Sequence, residues 1–108
     1  MKHKVSDLEG VLLDAAVAKA EGFDYLNPPA EREGWSPSRG WLAAGPIIER
    51  ERIMFSDLTR SHEHDDVGNI CASIERAYGS CWASGPTHLV AAMRAYVYFK
   101  FGEEVELS

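Results

Sequence analysis

Residues 35–53 are too broken for one long helix and too distinctive for a generic linker. They hold two tryptophans, two prolines, three arginines and two glutamates in nineteen positions. Proline has no amide hydrogen to donate, so Pro37 and the pair Gly45-Pro46 each interrupt regular structure. The middle of the chain is therefore expected to be irregular. Ser38 can cap a short helix through Ala44, and Pro46 suits the first turn of another reaching Arg52. Pro28 and Pro29 extend the irregular part backwards, so residues 27–40 read as loop, with Glu31, Arg32 and Glu33 solvated.

The flanks are more regular. Residues 1–5 read as a short strand. Ser6 and Glu9 have capping-box spacing, which predicts a helix over residues 7–21 with Leu8, Val11, Leu12, Ala15 and Ala18 inward. Gly22 supplies its left-handed stop. Strands are expected at 23–26 and 53–55, with a polar loop over 56–66. Asn69 is read as the cap of a helix carrying Ile70, Ile74, Ala77 and Tyr78, closed by Gly79. Residues 80–84 read as loop or a short edge strand. Thr87 caps the last helix, with Leu89, Ala92, Met93, Tyr96 and Val97 inward and Arg94 outward, and Gly102 closes it. Residues 104–107 alternate charged and apolar side chains, as a half-buried strand does, and can pair with residues 1–5. The expectation is an α+β fold: a small antiparallel or mixed sheet with three to four packed helices, in one domain of residues 1–108.

Charge limits the partners. Eleven Lys and Arg against seventeen Asp and Glu leave a net charge of −6, and neither half is basic. Duplex nucleic acid is held by neutralising phosphates, so it is not an expected partner. No apolar run reaches the roughly 20 residues that span a bilayer, so no membrane is expected either. Cys71 and Cys81 are read as free thiols of a cytoplasmic protein.

Three segments carry a family resemblance. The first runs from Lys4-Val5-Ser6-Asp7-Leu8 to Glu21-Gly22. The second joins Ser36-Pro37-Ser38 and Trp41 to Gly45-Pro46-Ile47-Ile48-Glu49-Arg50-Glu51. The third runs from Gly85-Pro86-Thr87 through Ala91-Ala92-Met93-Arg94 to Gly102-Glu103-Glu104-Val105-Glu106. Together they resemble the phage NinX-like proteins, a family of unknown function, and are similar to small phage α/β-sandwich domains. This chain departs from the family pattern in placing Arg39-Gly40 after Ser-Pro-Ser. The resemblance implies a phage or prophage accessory protein in the cytoplasm of the infected host.

Candidate chemistry centres on the tryptophan block. Trp35 and Trp41 offer faces on which a base can stack, Arg39 and Arg50 suit phosphates, and Glu49 lies beside them. Thr87 opens a helix whose N-terminus suits an anion. The plainer reading makes the tryptophans core or interface anchors and the arginines surface partners of Glu49 and Glu51. His62, His64, Asp65 and Asp66 concentrate metal-capable groups, but no second cluster completes a site, and a solvated loop is the plainer reading. No catalytic constellation emerges and no cofactor is implied. The leading expectation is a non-catalytic homo-oligomer that sequesters a small nucleotide-derived ligand, such as a host defence signal, through Trp35, Arg39, Trp41, Glu49, Arg50 and Thr87. The alternatives are an inhibitor that docks on a host protein, and a metal-dependent hydrolase.

Overall fold

A computed structural model describes residues 1–57 and 70–107. Strand β1 (Lys2–Lys4) leads through a 3-10 turn at Val5–Asp7 into helix α1 (Gly10–Glu21). A second 3-10 turn, Ala30–Arg32, precedes α2 (Trp41–Glu51) and β2 (Met54–Asp57). Strands β3 (Ile70–Arg76) and β4 (Gly79–Gly85), helix α3 (His88–Phe101) and β5 (Glu104–Glu106) complete the chain.

The termini pair as their alternation suggests. β1 and β5 run antiparallel, with His3 opposite Val105. β2, β3 and β4 form a separate antiparallel sheet in that order. One face of that sheet turns Ala72 and Ile74 toward α3, and both are fully buried. Helix α3 supplies Leu89, Ala92, Met93, Tyr96 and Val97 to the same core, joined by Leu13, Ala16 and Val17 of α1. Each large aliphatic side chain buried here contributes about 1.5–3 kcal/mol. The architecture is α+β. The described residues hold three α-helices, within the expected three to four, and two small antiparallel sheets in place of one sheet or of an α/β sandwich.

Several local expectations give way to packing. Ser6 does not cap α1: the helix starts at Gly10, and Glu9, its N-cap, makes no side-chain capping bond. The 3-10 turn instead buries Val5 and Leu8 almost completely. Two such burials outweigh one cap, worth about 1 kcal/mol. With the helix starting later, its inward face is Leu13, Ala16, Val17 and Ala18, and Val11 and Leu12 stay exposed. Gly22 ends α1 as expected, in the left-handed conformation at φ 91°. Residues 23–26 form turns, not a strand.

The helix expected after Asn69 is the β3–β4 hairpin. Ile70 and Ile74 share a face at helical spacing, but residues four apart also share a face of a strand. Ala72 between them completes the even-numbered face that meets α3. Residues 41–51 form one helix through Pro46, not two. Pro46 lies on an exposed side of α2, where water can serve the Leu42 carbonyl that loses its helical donor. Arg94 does not point outward. It is half-buried, its Nε donating to the Leu8 carbonyl at 2.7 Å and its Nη1 to the Ser84 carbonyl at 2.9 Å. Burial pulls its pKa below the usual guanidinium value.

Candidate functional site

The site begins at a buried acid. Asp14 sits in the apolar face of α1 with no exposed surface. A buried carboxylate needs hydrogen-bond donors. Ser36 Oγ donates to its Oδ2 at 2.7 Å, and the Ser38 amide donates to Oδ1 at 2.8 Å. Asp14 therefore pins the Ser36-Pro37-Ser38 segment to α1. Ser38 serves this anchor through its backbone and does not cap α2, whose N-cap is Gly40. The buried Ser38 Oγ has no hydrogen-bond partner.

Beside the buried Pro37 and Ser38, the side chains of Arg32, Trp35 and Arg39 form a ridge shared by two clefts. The larger cleft, about 630 Å³, lies between the end of α1, the 31–36 loop and the exposed side of α2. Leu42, Pro46 and Ile47 give it an apolar wall, and three glutamates and three arginines surround it. The smaller, about 250 Å³, adds Phe23, Tyr25 and Pro28. Both are lined by Arg32, Trp35, Ser36 and Arg39.

Aromatic packing shapes this ridge. Phe23 meets Trp35 edge to face, with ring centroids 4.9 Å apart. The Arg32 guanidinium lies 5.2 Å from the Phe23 centroid and 5.6 Å from that of Trp35. Arg32 is thus a half-buried stacking partner, not a solvated charge. Arg39 Nε donates to Ser36 Oγ at 3.0 Å, which links it to Asp14 through one hydroxyl. Among the described residues Arg39 forms no ion pair.

The far wall is electrostatically closed. Arg50 donates to both Glu21 oxygens, at 3.1 and 2.7 Å, and to Glu51 at 2.8 Å. Tyr96 donates its hydroxyl proton to Glu21 at 2.5 Å and accepts from Arg50 at 3.0 Å. Burial pushes the Glu21 pKa up, but the Arg50 and Tyr96 hydrogen bonds outweigh it and hold the carboxyl below its ordinary 4.5. Burial and the carboxylate it bonds raise the Tyr96 phenol above its ordinary 10.0. Hydrogen bonds to Glu21 and Glu51 likewise raise Arg50. Most of its donors are committed within the protein.

Of the residues the sequence singles out, the fold brings Trp35, Arg39 and Arg50 to the larger cleft. Trp41, Glu49 and Thr87 are not among its walls. Trp41 stands exposed in the first turn of α2, and Glu49 is exposed on the same helix. Thr87 caps α3, its Oγ1 accepting from the Val90 amide at 3.1 Å. Sequence reasoning missed Asp14, Glu21, Phe23, Tyr25, Arg32 and Tyr96. Only Asp14 left a signal, as an acid set beside Leu13, Ala16 and Val17 at helical spacing. Cys71 and Cys81 are free thiols. The His62–Asp66 cluster lies outside the described residues. Among the described residues no group of three His, Cys, Asp or Glu side chains is arranged to hold a metal, and no helix is long and apolar enough to cross a membrane.

No curated protein matches the chain. A family described as Bacteriophage P22, NinX matches residues 4–100, a span that includes Asp14, the Ser36-Pro37-Ser38 segment and all but the last residue of α3. The chain therefore belongs to the phage NinX family.

Proposed function

We propose that this phage protein binds a small nucleotide-derived anion on the ridge between the two clefts, and acts by sequestering it in the cytoplasm of the infected host. The observation that carries this reading is the pairing of an aromatic face with a guanidinium that, among the described residues, forms no ion pair and donates only through Nε, to Ser36. Trp35 and Arg39 line both clefts, on a segment held rigid by Asp14. A base can stack against Trp35, backed by Phe23 and Arg32, while Arg39 meets a phosphate. Arg50 contributes less, because Glu21 and Glu51 already meet its charge. Trp41, outside the clefts, is not part of this reading.

Titration with cyclic and ADP-ribose-type nucleotides tests it by calorimetry and tryptophan quenching. Stacking is worth roughly 1–3 kcal/mol per base, so Trp35→Ala is expected to weaken binding about 5- to 150-fold. Arg39→Ala weakens nucleotides more than the matching nucleosides. Absence of any heat or quench across the panel, with the wild-type chain folded, removes the reading.

One observation favours a second reading. Trp41 is 57% exposed and Leu42 95% exposed on adjacent positions of α2. Exposed tryptophan is a typical anchor for a protein partner, and Leu42 extends the apolar surface beside it. If the phage protein instead blocks a host protein, Trp41→Ala abolishes capture of that protein and leaves the fold intact.

A further inference from the structure

Among the described residues the three-stranded sheet ends on β4, with no strand beyond it, and only the Ser84 carbonyl of that edge is held, by Arg94. Edge strands expose unpaired amides and carbonyls, and proteins usually blunt them with lysine, proline or a bulge. β4 reads Gly79-Ser80-Cys81-Trp82-Ala83-Ser84-Gly85, seven residues with no charge and no proline. The register identifies its free groups. Arg76 faces Gly79 across a two-residue turn, so that pair shares ladder hydrogen bonds. Pairs alternate from there, so Ile74–Cys81 and Ala72–Ala83 also share them. Ser80, Trp82 and Ser84 therefore turn their N–H and C=O groups away from the sheet. The bond from Arg94 to the Ser84 carbonyl, which comes from outside the sheet, has this parity.

Space lies along the same edge. A cleft of about 430 Å³ borders Ser80–Ser84, with Val5, Ser6 and Tyr98 as its other walls. At mid-strand, Trp82 is 64% exposed. It stands in a cross-strand row with Ser73 and the exposed Met54, on the face turned away from α3.

The strand also reads almost alike in both directions. Gly79 matches Gly85, Ser80 matches Ser84, and the small Cys81 matches Ala83, all about Trp82. A two-fold axis through Trp82 would set each residue against its counterpart. We propose that β4 is a dimerisation edge, where a second copy of the chain adds its own β4 antiparallel about Trp82. Two three-stranded sheets then join into one of six strands, with the two Trp82 side chains adjacent on its outer face. Backbone bonds run between Trp82 and the partner's Trp82, and from the Ser84 amide to the partner's Ser80 carbonyl, while the Ser84 carbonyl keeps its bond from Arg94. A two-fold interface requires a self-complementary surface. The near-palindrome supplies it, whereas an unrelated peptide would place no such symmetry on β4.

Light scattering on the full chain is expected to give twice the 12.0 kDa chain mass. Trp82→Lys sets two ammonium groups against each other across the axis and yields a monomer with the parent's circular dichroism. Tyr78→Lys, on the exposed hairpin turn, leaves the dimer intact. The register has its own test, in a Cys71→Ser, Cys81→Ala background. Opposed Cα atoms of a hydrogen-bonded pair lie about 5.5 Å apart, within disulfide reach. Ser80→Cys chains mixed with Ser84→Cys chains therefore cross-link on oxidation. Neither cross-links to itself, because its own counterpart lies roughly 14 Å along the strand. A parent chain that stays at 12.0 kDa at every concentration overturns the proposal. So does a dimer that survives Trp82→Lys, or Ser80→Cys protein that cross-links to itself.

Discussion

Replacing Asp14 by alanine tests whether one buried carboxylate holds the candidate site together. Asp14 accepts from Ser36 Oγ at 2.7 Å and from the Ser38 amide at 2.8 Å. Hydrogen bonds to a charged group are worth about 1.5–3 kcal/mol each, so the two set a ceiling of about 3–6 kcal/mol. Two effects lower it. Removing the carboxylate also removes its desolvation cost, and the Ser36 hydroxyl, only partly buried, can turn to water. The Ser38 amide is buried and cannot, and an orphaned donor costs about 1–3 kcal/mol. The expected net loss is about 2–4 kcal/mol. Asp14→Asn keeps the shape and one acceptor for the Ser38 amide, so its loss should be about half as large. Urea denaturation followed by circular dichroism measures both, read as a shift in midpoint at constant slope. Trp35 fluorescence should shift toward that of a solvated indole in the alanine variant, because the ridge is released. If both variants fall within about 0.5 kcal/mol of wild type, the range of ordinary surface changes, the anchor argument is wrong.

Thr87→Ala should cost about 1 kcal/mol of unfolding free energy, since its hydroxyl caps the Val90 amide, whereas Ser6→Ala should change the urea midpoint by less than the equivalent of about 0.5 kcal/mol. Gly85→Ala should lower the thermal midpoint at a cost of about 1–3 kcal/mol, because the added methyl would lie 2.9 Å from the Ala91 amide nitrogen, a backbone atom that cannot step aside. Acid unfolding should report Glu21. Its folded pKa lies below the ordinary 4.5, so its contribution is complete above that value and is lost as pH falls through the folded pKa. Glu21→Gln should flatten this acid limb, and an identical limb in the variant would contradict the assignment. Tyr96 has the opposite sign. Its pKa is raised above 10.0, so its contribution holds below that value and disappears as alkaline pH approaches the folded pKa, a limb that Tyr96→Phe should remove.

Local chemistry was enough for some parts of this protein. Gly22 and Gly102 end helices because a residue of positive φ is needed there, and Thr87 caps because its hydroxyl reaches an amide three residues on. The inward face of α3 follows from helical spacing, and the alternation at residues 104–107 marks a strand. The tryptophan block carried the family resemblance, but the fold decided that Trp35, Arg39 and Arg50 meet at one cleft while Trp41, Glu49 and Thr87 stay outside it. Packing decided the rest. Ile70 and Ile74 suit a helix or a strand equally, and only α3 and the neighbouring strands select the strand. Ser6 carries a capping signal, but burying Val5 and Leu8 is worth more. Asp14 meets Ser36 and Ser38 across more than twenty positions, and Glu21 meets Arg50 and Tyr96 across longer gaps. Hydrogen bonds between residues so far apart leave no periodicity in the chain, because their partners become neighbours only after α1, α2 and α3 have packed.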